Sequence, residues 1–277
     1  MKRTSFITLA IVAVLWLLIG SVQASPLERP MISFTFDDGK ESLLTQAFPS
    51  LNRFGFVGTA YIPTGYVGLP DQISWDDLYS LSSVHGWEIG NHTVTHPYLT
   101  MLSVPDVMAQ IIGARTALEQ HGMVNVTSFT CPFGDYNQRV INILKSSNSL
   151  YSARAGWWSH NPLNLPEDFN QWALETVDGD FPETFETIKE FIDLAVQQNG
   201  WLILTFHDIV VSSPKDYETA RSDLDKTVQY VYQLRDSIDV VTMSVGMARM
   251  LRARGTNDTN DLMVVQQNAS GRLKRNR

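Results

Sequence analysis

Short apolar runs alternate along most of this chain with stretches in which apolar residues recur every third or fourth position. The runs at 31–36, 58–62, 87–91, 127–131, 150–155, 172–177, 201–206 and 239–243 read as strands. The patterns between them, at 42–54, 75–82, 104–121, 138–147, 182–198 and 217–235, read as helices. Ser103 stands where it can cap the helix at 104–121, with Pro105 just inside it and Gly122 beyond its end. Ile188, Phe191, Ile192 and Ala195 share one helical face, and Gly200 closes that segment. Strand–helix alternation predicts an α/β fold on a parallel sheet, wound open or closed into a barrel. The segment 156–170, with two prolines and three asparagines, reads as one long loop.

The two ends depart from this rhythm. Lys2 and Arg3 precede an apolar run at 6–20 and then Val22-Gln23-Ala24, the layout of a secretory signal peptide cleaved after Ala24. A retained anchor is the alternative, although the run is short against the roughly 20 residues of a bilayer span. From Gly255 onward the chain turns polar and ends Gly-Arg-Leu-Lys-Arg-Asn-Arg, read as a frayed, disordered tail. The expected division is therefore a signal peptide at 1–24, one domain at 25–252 and a tail at 253–277. With 277 residues, 44% of them hydrophobic, the chain can bury a full core without staples. That matters because Cys131 is the only cysteine and no intrachain disulfide is possible. A formal charge of −8 argues against a non-specific nucleic-acid binder. No second segment could span a membrane, so a cleaved chain is expected to be secreted or periplasmic.

Candidate chemistry lies where strands end. The run Ile32-Ser33-Phe34-Thr35-Phe36 stops at Asp37-Asp38-Gly39, two adjacent carboxylates that share one role only if the backbone bends there. A plain Asp-Asp-Gly turn is the bland alternative. Asn91 runs into His92-Thr-Val-Thr-His96-Pro97, two histidines four apart. In one helical turn that spacing puts both imidazoles on the same side, as a metal site requires, and an ordinary hydrogen-bonded pair fits it equally. The run 201–206 ends in His207-Asp208, a candidate general acid or base. In a parallel α/β fold all three strand ends share one rim.

Thr35-Phe-Asp37-Asp38-Gly39, His92-x-x-x-His96-Pro97 and Leu202-x-Leu204-x-x-His207, in that order, resemble the motifs of the polysaccharide deacetylases, the NodB-homology or carbohydrate esterase family 4 enzymes. The resemblance implies a distorted (β/α) barrel of about seven strands. It implies a metal triad of Asp38, His92 and His96, with zinc first and cobalt, nickel or manganese as alternatives. Asp37 would be the catalytic base and His207 the acid that protonates the leaving amine. Phe133, in Cys131-Pro132-Phe133-Gly134, would supply an oxyanion-holding N–H. Leu204 would line the acetyl pocket or be plain barrel core.

The chain departs from the family pattern twice. Thr130 occupies the position of an arginine that orients the base, and Arg154, one strand on, is the expected replacement. The Asp-x-x-Asp-Trp motif that tunes the acidic histidine has no match, and Asp178 or Asp180 is expected to serve. Cys131 reads as a small buried residue, not a nucleophile. Trp157 and Trp158 could stack on sugar faces or pack in the core. Asn125, Asn257 and Asn268 head glycosylation-type triplets.

The implied activity is metal-dependent hydrolysis of N-acetyl groups on an amino-sugar polymer, with an N-acetylated glycan as partner and neither nucleic acid nor membrane after cleavage. The alternatives are an amidohydrolase of the same fold acting on a small or cyclic amide, or a non-catalytic glycan-binding pseudoenzyme. A glycosidase would need two carboxylates separated across a bond, which adjacent Asp37 and Asp38 do not provide.

Overall fold

The computed structural model describes residues 25–155, 162–180 and 182–255. The expected signal peptide, most of the expected tail, Trp157, Trp158, Asn257 and Asn268 lie outside the described residues.

Eleven strands are described. Six of them, β1 (Met31–Phe36), β2 (Thr59–Ile62), β3 (Glu88–Asn91), β4 (Ser128–Thr130), β5 (Ser152–Arg154) and β8 (Trp201–Phe206), form a parallel arc in the order β5-β4-β3-β2-β1-β8. β6 (Leu163–Asn164) adds antiparallel to the foot of β8, and β7 (Val177–Asp178) adds parallel to its head. β11 (Asp239–Val240) pairs with the foot of β1. Beyond β5 a bridge between Arg154 and Leu174 carries the sheet on to the segment that ends in β7. The result is a distorted half-barrel of seven strands, as expected from the alternation and the resemblance.

Register separates the sheet into two faces. β1 and β8 pair Met31 with Trp201, Ser33 with Ile203 and Thr35 with Thr205. These alternate residues face inward, while Ile32, Phe34, Phe36, Leu202, Leu204 and Phe206 pack outward against the helices. At the foot of the barrel Met31, Tyr61, Trp201 and Ile203 are sealed by Met243, Met247, Met250 and Leu251 of a helix at Met243–Arg254. Tyr61 reaches the interior because β3 has a glycine beside it. A Cβ at Gly90 would lie 2.5 Å from the Tyr61 ring.

Helix starts follow local chemistry. Ser74 caps Trp75–Ser83 with a reciprocal Asp77 contact. Ser103 caps Val104–Gln120 with Pro105 in its first turn, as expected. Several boundaries differ from the sequence expectation. The pattern at 42–54 splits into a π-helical turn, Leu43–Ala47, and a short helix, Phe48–Asn52. The strand expected at 172–177 shrinks to Val177–Asp178 plus the Leu174 bridge. The loop expected at 156–170 contains β6. The helix expected from 217 begins at Arg221, because Glu218–Ala220 (β10) pairs with Asp208–Val210 (β9). The strand expected at 239–243 stops at Val240, and the helix Met243–Arg254 follows. Its apolar spacing at 243, 247, 250 and 251 was present in the sequence as a signal. No described helix is long and apolar enough to cross a membrane.

Candidate active site

The inward parity of β1 and β8 continues one step past their ends, to Asp37 and His207. Asp37 N–H donates to the Phe206 carbonyl at 2.9 Å, which extends the ladder to the barrel mouth. Both residues line a cleft of about 570 Å³ with Asp38, His92, His96, Thr130, Phe133, Arg154 and Asp178.

Asp38 leaves the strand with φ of 67° and Gly39 follows at 61°. This bend lets two adjacent carboxylates reach one cleft with different neighbours. Positive φ is costly for a non-glycine residue and is held by surrounding structure. Asp38 Oδ1 lies 3.5 Å from His92 Nε2 and 3.3 Å from His96 Nε2, and the two imidazole nitrogens are 3.0 Å apart. The histidines do not sit on a helix, contrary to the sequence expectation. A loop with Thr93 and His96 both at positive φ turns them together. Thr93 Oγ1 accepts from His96 N–H, Asn91 Oδ1 accepts from Thr93 N–H, and Gln110 Oε1 accepts from the N–H groups of Val94 and Thr95. Sequence reasoning missed these supporting residues, since none matches a spacing pattern.

A divalent cation fits these donors. Bonds of roughly 2.1 Å put tetrahedral ligand atoms about 3.4 Å apart, close to the three observed separations. Asp38 Oδ1 is buried with no hydrogen-bond donor. His92 Nδ1 is 2.9 Å from the Thr130 carbonyl, which places the ring proton there and leaves Nε2 with its lone pair toward Asp38. Burial and the neighbouring His92 lower the His96 imidazole to about 4, so it is neutral and able to ligate. Burial works against the charged Asp38 carboxyl, but its His92 contact and the nearby imidazoles outweigh that and hold it below the usual range.

A second set of contacts comes from the opposite wall. Arg154, 1% exposed, donates from Nη2 to Asp37 Oδ2 and from Nη1 to Thr205 Oγ1 at 2.5 Å. It is the register partner of Thr130 on the neighbouring strand, so the two positions stand at the same height in the barrel. Asp37 Oδ1 is buried and has no partner. His207 Nε2 is 4.0 Å from Asp37 Oδ2.

The carboxylate that holds His207 is Asp180, not Asp178. Asp180 accepts from His207 Nδ1 at 2.5 Å, from His207 N–H at 3.2 Å and from Thr219 Oγ1 at 2.5 Å. Asp178 instead accepts from the Asp180 N–H. Its carboxyl is pushed up to about 6 by burial and by the neighbouring Asp180. Burial opposes the His207 imidazolium, yet the Asp180 hydrogen bond and the carboxylates of Asp37, Asp180 and Asp38 raise it to about 9.

Leu204 does not line the cleft. Register puts it on the outer face opposite Phe34, fully buried in the helix-packed core, and Thr205 is the β8 residue that faces the site. Phe133 stands at the mouth with φ of 59°, its half-exposed ring stacked on Tyr98 at 4.1 Å. Cys131 is buried beside it, and burial together with Asp135 pushes its thiol up to about 12. A protonated thiol at neutral pH is a poor nucleophile. Asn125 is exposed, at φ of 61°, in the irregular segment before β4.

Residues 24–151 match the family model described as polysaccharide deacetylase. The chain is 28% identical over 131 residues to the peptidoglycan-N-acetylmuramic acid deacetylase PdaC of Bacillus subtilis, an alignment that covers 47% of this chain and 27% of that protein. It is 22% identical over 110 residues to the putative polysaccharide deacetylase YxkH of the same organism, covering 40% of this chain and 39% of the relative. The chain thus spans well under half the length of the curated relatives it matches. Among solved structures, that of PdaC superposes with a TM-score of 0.53 at 21% identity, covering 85% of this chain and 96% of that one. The Xyl-CE4 domain of a multidomain xylanase from the hindgut metagenome of Trinervitermes trinervoides gives 0.53 at 16% identity, over 83% and 93% of the two chains. These structures share the fold.

Proposed function

We propose that the chain is a member of the polysaccharide deacetylase family, a secreted, metal-dependent hydrolase that removes N-acetyl groups from an amino-sugar polymer. What supports this reading most is one convergence: Asp38, His92 and His96 present three ligand atoms 3.0–3.5 Å apart, beside two groups suited to proton transfer. Asp38, His92 and His96 would hold a divalent cation, zinc first among the candidates, whose Lewis acidity would polarise the amide carbonyl and acidify the attacking water.

The remaining work falls to this chain's own residues. Asp37 takes the proton of the attacking water at Oδ1, the oxygen left without a partner, while Arg154 holds Oδ2 and fixes the carboxylate plane. Phe133, on its strained turn at the mouth, is the position from which a backbone N–H holds the developing oxyanion. His207, kept protonated by Asp180, delivers a proton from Nε2 to the leaving nitrogen. The carbon–oxygen bond forms, the carbon–nitrogen bond breaks, and acetate leaves a free amine on the sugar.

PdaC is a peptidoglycan-N-acetylmuramic acid deacetylase, which makes a cell-envelope amino-sugar polymer the first to try. The signal-type N-terminus agrees with an envelope location. The test is acetate release from a panel of N-acetylated glycans, including peptidoglycan, chitin oligomers and poly-N-acetylglucosamine. The expected result is release from at least one polymer, abolished by chelator, restored by zinc and absent in Asp37→Asn. Release indifferent to both chelator and Asp37→Asn would overturn the mechanism. Turnover of a small cyclic amide with none of the polymers would overturn the substrate class.

A further inference from the structure

Beneath the Arg154 guanidinium the barrel interior carries a layer of buried hydroxyls. Thr35, Thr176 and Thr205 are all buried there. Their hydrogen bonds have a forced direction. Thr35 Oγ1 donates to the Leu204 carbonyl at 2.8 Å, and Thr176 Oγ1 donates to the Ile203 carbonyl at 3.1 Å. Each has thereby used its single proton. Thr205 Oγ1 lies 2.5 Å from Thr176 Oγ1 and 3.4 Å from Thr35 Oγ1, so its own proton goes to one of these two hydroxyls and a lone pair is left facing Arg154. A guanidinium can only donate. Thr205 is therefore held with its acceptor face toward Nη1, while Nη2 is committed to Asp37.

We propose that Thr205 is a positioning residue for deacetylation, acting through Arg154 to set the plane of the Asp37 carboxylate. This rests on Asp37 being the base, as argued above. An arginine at the Thr130 position would enter from β4, whereas Arg154 enters from β5 and needs a second anchor on the far side of the barrel. β8 supplies it, because the parity that turns His207 into the cleft turns Thr205 inward two residues earlier. Leu204, one residue earlier still, points the other way and cannot serve.

The test is a double-mutant cycle on acetate release by the metal-loaded full chain, using the glycan of the panel that it turns over. It is paired with the side-chain ¹⁵N spectrum of Arg154, which needs no substrate. Thr205→Val is expected to lower kcat about 10-fold, the scale of one lost hydrogen bond to a charged group, with KM within about twofold. Thr205→Ser, which keeps the hydroxyl, is expected to recover most of kcat. In an Arg154→Ala background Thr205→Val is expected to change kcat by less than about twofold, since the residue acts only through that arginine. The resolved Nη signals of Arg154 should collapse in Thr205→Val and persist in Thr205→Ser.

Equal kcat losses in both backgrounds, or Arg154 signals unchanged by Thr205→Val, overturn the proposal while leaving the base assignment standing. If Arg154→Ala and Asp37→Asn both leave kcat unaltered, the base assignment itself fails. A panel with no turnover is likewise a failure of the proposed function, and the Arg154 spectrum then still decides whether Thr205 anchors the guanidinium.

Discussion

The two walls of the cleft are built in different ways. The wall of Asp38, His92 and His96 comes from two short segments at the ends of β1 and β3. Its tight turns at Thr93 and His96 are held first by contacts close in sequence, with Gln110 and the Thr130 carbonyl adding support from the next elements of the chain. The wall of Arg154, Asp180 and His207 is assembled across the barrel from β5, the segment after β7, β8 and β10. The ligand wall depends on local backbone conformation, which a short motif can encode. The proton-transfer wall depends on strand register, which no short motif contains.

The largest effect should come from breaking the ligand wall. His96→Ala is expected to remove the bound metal and reduce acetate release to background, checked by elemental analysis and the acetate assay together. Asp37→Asn should lower kcat by about 10²–10⁴ with metal content unchanged, which separates proton transfer from ligation. Retained activity, or loss of metal, would erase the distinction between the walls.

Arg154→Ala removes one partner of a buried ion pair. It should cost about 3–5 kcal/mol in urea unfolding, along with a fall in kcat. Because Thr130 and Arg154 are register partners, Thr130→Arg in that background is expected to recover part of the lost kcat. No recovery would mean that the two strand positions are not equivalent.

His207 sharpens the comparison through pH. Its pKa in the folded protein is raised from the ordinary 6.5 to about 9. Its contribution to stability is therefore complete below about 6.5 and is lost as pH rises through about 9. Asp180→Asn should lower the His207 pKa in the metal-free protein, read by imidazole NMR. It should also remove the stability difference between about pH 6 and about pH 10 that this pair contributes. The smallest effect is expected far from both walls. Ser74→Ala removes a helix cap and should cost about 1 kcal/mol with catalysis unchanged.

Legibility followed the same division. Asp37, Asp38, His92, His96 and His207 announce themselves as polar interruptions at the ends of apolar runs, and the structure brings all five to one cleft. Misassignments arose where a residue's face or partner is set by distant pairing. Leu204 looked suitable by its apolar character, but parity turns it outward. Asp178 and Asp180 are indistinguishable in sequence, and only the turn after β7 decides which meets His207. The segment 217–220 has a helix-compatible pattern, yet pairing with β9 makes Glu218–Ala220 a strand and thereby brings Thr219 to Asp180.

By itself the sequence determined the alternation of strands and helices, the apolar faces and the chemical types at the strand ends, because these follow from local periodicity and side-chain chemistry. Only the tertiary structure decided which of those ends meet, that an arginine on β5 reaches a carboxylate on β1, and that a β8 threonine stands beneath it. The reason is geometric. A shift of one residue in strand pairing reverses every side chain on the strand, and that pairing is settled by the whole barrel at once.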